Sequence, residues 1–225
     1  MANLKKFEQE EFEDEIHWGT KRIYPSFVVK GVANTAGVGI ANYPLMSYHC
    51  ALSSAGIDCY NIVPVSSVLP KRVEIKELDK YADIISPAGI LFTIESKLII
   101  EPQQIKKRSL AFAALTISEM HKYKLALEFH DIVDFDYKPR DYDEFVKQIV
   151  SVFKDYVKQK QIPRVSIKGY MTCGIFYIGT SSLFIQVNFD EKNITHKPLN
   201  AHGNYFGNDY ITLINEFILR VETVF

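Results

Sequence analysis

Few of the residues able to do chemistry stand in a recognisable arrangement. There is no G-x-S-x-G elbow, no H-E-x-x-H pair and no cysteine–histidine pairing with a local signature. The histidines are scattered, and His196 and His202 share a polar loop without a third ligand, so no metal centre is expected. Cys50, Cys59 and Cys173 form an odd set without C-x-x-C spacing, which reads as buried free thiols. Gly37-Val-Gly39 lacks the third glycine and the Lys-Ser/Thr ending of a phosphate loop. One segment differs. Asn61-Ile-Val-Pro-Val-Ser66-Ser67-Val-Leu-Pro70 sets an amide and two adjacent hydroxyls at the end of a β-branched run. Taken alone, Ser-Ser at that place is a polar turn capping a strand.

The flanking residues change that reading. Leu45-x-x-Tyr-His-Cys-Ala-Leu-Ser-Ser-Ala-Gly-Ile57 precedes the segment and Val-Leu-Pro ends it. Together they resemble the self-cleavage region of the pyruvoyl-dependent arginine decarboxylases. In that family a helix ending Ala-Leu-x-x-Ala-Gly-Ile is followed by an Asn, then by Ser-Ser or Thr-Ser before Val/Ile-Leu/Met-Pro. Leu127-Glu128-Phe129 is similar to the strand that carries the family's catalytic Glu. Gly19-Thr20 and Tyr24-Pro25 resemble the N-terminal stretch of some members. The resemblance runs from about residue 19 to 189, is strongest over 45–70, and leaves 190–225 outside.

The resemblance implies a specific chemistry. Ser67 would attack the carbonyl of Ser66, turning the peptide bond into an ester. β-Elimination would then free Ser66 as a new C-terminus, and hydrolysis of the dehydroalanine at 67 would leave a covalent pyruvoyl cofactor. Backbone strain is expected at that bond, with Pro70 limiting relaxation. The ketone would form a Schiff base with the amine of an amino-acid substrate and act as electron sink while carbon dioxide leaves. Glu128 would be the proton donor. With Leu125, Leu127 and Phe129 around it, its carboxyl is expected to titrate above the ordinary range; read by itself it is a strand-face carboxylate. Asn61 would orient the scissile carbonyl or hold the ketone, and Leu52 would form an apolar pocket wall. The implied fold is an αββα sandwich, a β-sandwich flanked by helices. A homotrimer with active sites between subunits is implied likewise.

Two departures bear on the substrate. Arginine-specific members carry an Asp at the position of His49, where it pairs with the guanidinium. Removing such a pairing from a desolvated pocket costs roughly 2–5 kcal/mol, so arginine is disfavoured unless another acid, such as Asp58, replaces it. The loop expected over Asn34–Ile40 has no acidic residue. His49 is therefore either a specificity change or a helix histidine bonded to backbone. The alternative function is a non-catalytic relative that keeps the trimeric scaffold to bind a small molecule or a protein.

Elements must position these residues. Ser26–Val32 reads as a strand. Pro44 opens a helix to about Ser54, with Leu45, Tyr48, His49 and Leu52 on one face and Ala55-Gly56 as its stop. Tyr60–Val65 reads as a strand whose Pro64 suggests an edge. Strands are expected around 84–94, 110–117, 124–129, 164–168 and 174–189. Asp141-Tyr-Asp-Glu144 opens an amphipathic helix carrying Phe145, Ile149, Val152, Phe153 and Tyr156 to Ile162-Pro163. Residues 193–209 read as a loop, and Ile211–Phe225 as a terminal helix with Ile214, Phe217, Ile218 and Val221 on one side. The mixture lacks regular βαβ alternation and predicts an α+β domain over 19–189, between an acidic arm (1–18) and a C-terminal extension of loop plus helix (190–225).

Composition sets the outer bounds. The 225 residues are 47% hydrophobic and 13% aromatic, ample for a packed core. With 26 Lys+Arg against 27 Asp+Glu, the charge of −1 disfavours a nucleic-acid or membrane-surface binder. The basic triplet Lys106-Lys107-Arg108 is a solvated face. No run is long and apolar enough to span a bilayer. The charged N-terminus is unlike a secretion signal, and a cytoplasmic location is expected.

Overall fold

The computed structural model describes residues 26–78, 87–105, 108–136, 141–160, 168–177, 182–203 and 208–224. The acidic arm, Gly19-Thr20, Tyr24-Pro25, Ile162-Pro163 and most of the strand expected over 164–168 lie outside them. The described elements are β1 (Ser26–Ala41), α1 (Pro44–Ser54), β2 (Asn61–Pro64), β3 (Val68–Pro70), β4 (Ile75–Glu77), β5 (Ile90–Ile100), β6 (Ser109–Glu119), β7 (Tyr123–Asp134), α2 (Tyr142–Gln159), β8 (Lys168–Phe176), β9 (Ser182–Phe189), β10 (Ile194–Pro198) and β11 (Tyr210–Val224).

The strands form two sheets, ordered β2-β5-β11-β1-β4 and β10-β9-β8-β6-β7-β3. Between them pack Val32, Ile94, Leu115, Ile117 and Phe217 at one end and Val38, Ile100, Ala111, Ala113 and Leu213 at the other. Helix α1 covers the outer face of the first sheet through Ala51, Leu52 and Ala55 against Ala33, Ile214 and Ile218. Helix α2 covers the second through Phe145, Ile149 and Phe153 against Leu110, Phe112 and Val187. The layers are thus helix, sheet, sheet, helix, the αββα arrangement expected. Strand β6, buried on both faces over Ser109–Ser118, reads as a continuous apolar run for that reason.

Helix α2 forms as its pattern dictates: the Asp141 carboxylate accepts from the Glu144 N–H at 2.8 Å, and the apolar stripe meets the sheet with Phe153 edge-on to Phe112 and Phe129. Helix α1 departs from its expected orientation. Leu45 and His49 are exposed, Leu45 at 79%, while Ser47, Ala51 and Leu52 face inward. Its seat is the glycine pair of β1. A Cβ on Gly37 would stand 2.1 Å from the Ala51 carbonyl oxygen, and one on Gly39 1.9 Å from that of Ser47. These glycines belong to a sixteen-residue strand, so the loop expected over 34–40 is corrected: close helix approach explains the glycines.

The C-terminal reading is also corrected. Tyr210–Val224 is a strand, lying between β5 and β1 at the centre of the first sheet. Ile214 and Ile218 face α1, whereas Phe217 and Leu219 face the other sheet. A strand covered on both sides is apolar on both, and such a run satisfies helical spacing as readily as alternation. This part of the extension completes the sandwich core. Within the expected loop 193–209, Ile194–Pro198 pairs with β9 as an exposed edge strand. Of the three cysteines only Cys173 is buried; Cys59 is exposed and Cys50 intermediate.

Candidate active site

The serine pair occupies a crossing between layers. β2 is the edge strand of the first sheet and β3 the edge strand of the second, so Val65-Ser66-Ser67 steps from one sheet to the other. Each side of the step is anchored separately. The Val65 N–H donates to the Thr93 carbonyl of β5 at 2.9 Å, and the Ser67 carbonyl accepts from the Ala126 N–H of β7 at 2.7 Å. The peptide bond between the serines therefore lies between two fixed points.

Strand β7 brings in the carboxylate. Ala126 faces the other sheet and Phe129 faces α2, and alternation places Glu128 on the same face as Ala126, opposite Leu115 of β6. The Ser67 hydroxyl donates to Glu128 Oε1 at 3.0 Å across 61 residues of sequence. Ser67 is half-buried, while Ser66 and Glu128 are exposed. The apolar neighbours of Glu128 in sequence do not enclose it in the single chain, because alternation turns Leu127 and Phe129 to the opposite face.

Asn61 is exposed at the start of β2, and its side-chain amide donates to the Ala88 carbonyl at 2.7 Å. Ala88 has φ 65, the one non-glycine residue in the left-handed region among those described. The turn that Asn61 grips thus holds a left-handed residue, a feature without a sequence signal. Leu52 is buried among the residues between α1 and the first sheet. His49 lies on the exposed face of α1, and Asp58 is exposed after its end. The structure brings Ser67 and Glu128 into contact and distributes Asn61, His49, Leu52 and Asp58 around the same edge strand and helix.

A second titratable group escaped sequence reasoning. Glu216, on β11, is fully buried beneath α1 and stands in register with Glu95 of β5. Glu95 accepts a 2.5 Å hydrogen bond from the Tyr48 hydroxyl and pairs with Lys97 at 2.8 Å, and Lys97 Nζ lies 4.2 Å from the Tyr48 ring centroid. Burial, then the charge of Glu95, pushes the Glu216 carboxyl up to about 8. Burial, then the bond to Glu95, raises Tyr48 well above the ordinary tyrosine range. A helical reading of 211–225 hid Glu216, since it falls off the apolar stripe.

Known proteins match the stretch of chain that holds this site. The sequence model described as pyruvoyl-dependent arginine decarboxylase (PvlArgDC) matches residues 26–179. A pyruvoyl-dependent arginine decarboxylase of Picrophilus torridus is 47% identical over 60 residues, 27% of this chain and 33% of that protein. One from Archaeoglobus fulgidus is 39% identical over 69 residues, covering 31% and 44%. One from Methanosarcina acetivorans is 26% identical over 134 residues, covering 59% and 79%. The chain thus spans between a third and a half of the first two relatives. The family match embraces α1, the sheet crossing with Ser66 and Ser67, and the β7 carboxylate. The chain belongs to the pyruvoyl-dependent arginine decarboxylase family.

Proposed function

We propose that the chain is a self-processing pyruvoyl-dependent amino-acid decarboxylase, with Ser67 as cofactor precursor and Glu128 as proton donor. The observation that carries this reading is the 3.0 Å contact between the Ser67 hydroxyl and Glu128 at the crossing between sheets. The residues fit the group: a half-buried hydroxyl adjoins the carbonyl it must attack, and the chain on either side is held by β5 and β7.

In processing, Ser67 Oγ adds to the Ser66 carbonyl carbon, the C–N bond between them breaks, and an ester forms. Loss of the Ser67 α-proton expels the Ser66 carboxylate and leaves dehydroalanine. Hydrolysis then releases ammonia and completes the pyruvoyl group. Glu128, accepting the hydroxyl hydrogen bond, orients Oγ for the first step. The group so formed supplies an electrophilic carbonyl and an electron sink for decarboxylation. The protein's own part is to position the substrate and deliver a proton from Glu128. Asn61 anchors the turn beside the site through Ala88.

Substrate choice belongs to His49, which offers no fixed negative charge to a guanidinium. An amino acid less basic than arginine suits this position. Association into a homotrimer is supported by Tyr43, Leu45 and Met46, large apolar side chains exposed around the start of α1.

Mass spectrometry of the purified protein tests the proposal. Two pieces are expected, Met1–Ser66 and a larger one blocked at position 67, while Ser67→Ala gives a single intact chain. An intact, carbonyl-free wild type under all conditions would favour a non-catalytic scaffold. Carbon dioxide release from a panel of amino acids then identifies the substrate, and His49→Asp is expected to move preference toward arginine.

A further inference from the structure

At the sandwich edge opposite the serine pair, β4 and β1 of the first sheet face β8 and β9 of the second across a cavity of about 210 Å³. That is room for one small metabolite. Its inner wall is polar where a sandwich interior should be apolar. Asn34 is 3% exposed, and both the oxygen and the nitrogen of its side-chain amide are buried without a hydrogen-bond partner. The Asn188 amide oxygen is likewise buried and unpartnered. A buried polar group left unpaired keeps its full desolvation cost, so each of these atoms calls for a partner. The mouth carries both signs of charge, with Lys168 and Lys76 beside Asp190 and Glu77. The Asp190 carboxylate is held in place by the backbone N–H groups of Lys192 and Asn193 at 2.8 and 2.7 Å.

Asn188 and Asp190 lie beyond the family match, which ends at residue 179, as do five of the twelve residues that line this cavity.

We infer that this cavity is a binding site for a small zwitterionic amino acid with an uncharged hydrogen-bonding side chain, amide or hydroxyl. The side chain meets the free donor and acceptors of Asn34 and Asn188. The carboxylate faces the lysines and the ammonium faces Asp190 and Glu77. The unpaired Asn34 amide, the unpaired Asn188 oxygen and a mouth with both charges match such a ligand at both ends, whereas a simple anion or an apolar molecule would leave one set unmatched.

Isothermal titration calorimetry on the full chain tests this with glutamine, asparagine and serine, and with leucine as control. Binding of at least one polar amino acid is expected, with leucine silent. Asn34→Val and Asn188→Leu should each weaken it at least tenfold, and Lys168→Met should weaken it without disturbing the core. Ser67→Ala should bind unchanged, which separates this cavity from the proposed catalytic site. Absence of heat with all three polar amino acids overturns the inference and leaves a water-filled cavity. Binding that survives the Asn188 and Lys168 substitutions, or that Ser67→Ala abolishes, overturns it too.

Discussion

Two carboxylates separate the chemistry from the scaffold. Glu128 accepts a hydrogen bond from Ser67, and Glu128→Gln retains an amide oxygen that can do the same. Cleavage should therefore persist in that variant, while turnover falls about 10²–10⁴-fold because the amide has no proton of suitable acidity to give; stopped carbon dioxide assays on processed protein provide the measurement. Glu216 acts on stability. Its carboxyl keeps a proton up to about pH 8 in the folded chain, against an ordinary value of 4.5 when unfolded. Unfolding thus releases a proton between those values, and stability is greatest below pH 4.5 as far as this group is concerned and declines as pH rises toward 8, by up to about 1.4 kcal/mol per pH unit. Glu95, Lys97 and Tyr48 face the same carboxyl and modulate its window. Urea unfolding of Glu216→Gln at pH 5, 7 and 8.5 should show that slope flattened.

Among the elements, the helix α1 seat is the sharpest constraint. Gly39→Ala pushes a methyl into the Ser47 carbonyl, which is backbone and cannot turn aside, so a loss of about 3 kcal/mol or more is expected in denaturant unfolding. The same seat shows why parts of the sequence misled. Helix α2 was legible because one face meets water and the other meets a sheet, giving Asp141, Phe145, Ile149 and Phe153 clear roles. Strand β11 was not, because both its faces are covered and Phe217 and Ile218, adjacent on a helical stripe, point to opposite layers. The glycines of β1 suggested a loop, since their reason lies in a helix that docks on them. In the candidate site, Ser67 and Glu128 came from the family resemblance, while the Asn61–Ala88 contact depends on a turn that no local pattern announces.

Over the whole molecule, the crossing at Ser66-Ser67 joins two sheets that are each held together by their own strand pairing. The piece ending at Ser66 retains β1, paired with β11 along its length, and β2, paired with β5. Processed protein should therefore elute as a single species in native size-exclusion chromatography and separate only in denaturant. Removing 208–225 takes out the strand between β5 and β1 and should abolish folding, read as loss of cooperative unfolding. The central place of β11 also sets a schedule. A nascent chain that has left the ribosome as far as Pro198 already contains both serines and Glu128, yet the seam between β5 and β1 is still open. Under the proposed self-processing, cleavage is expected only once translation has reached the residues of β11, so a chain truncated after Pro198 should stay uncut on a denaturing gel.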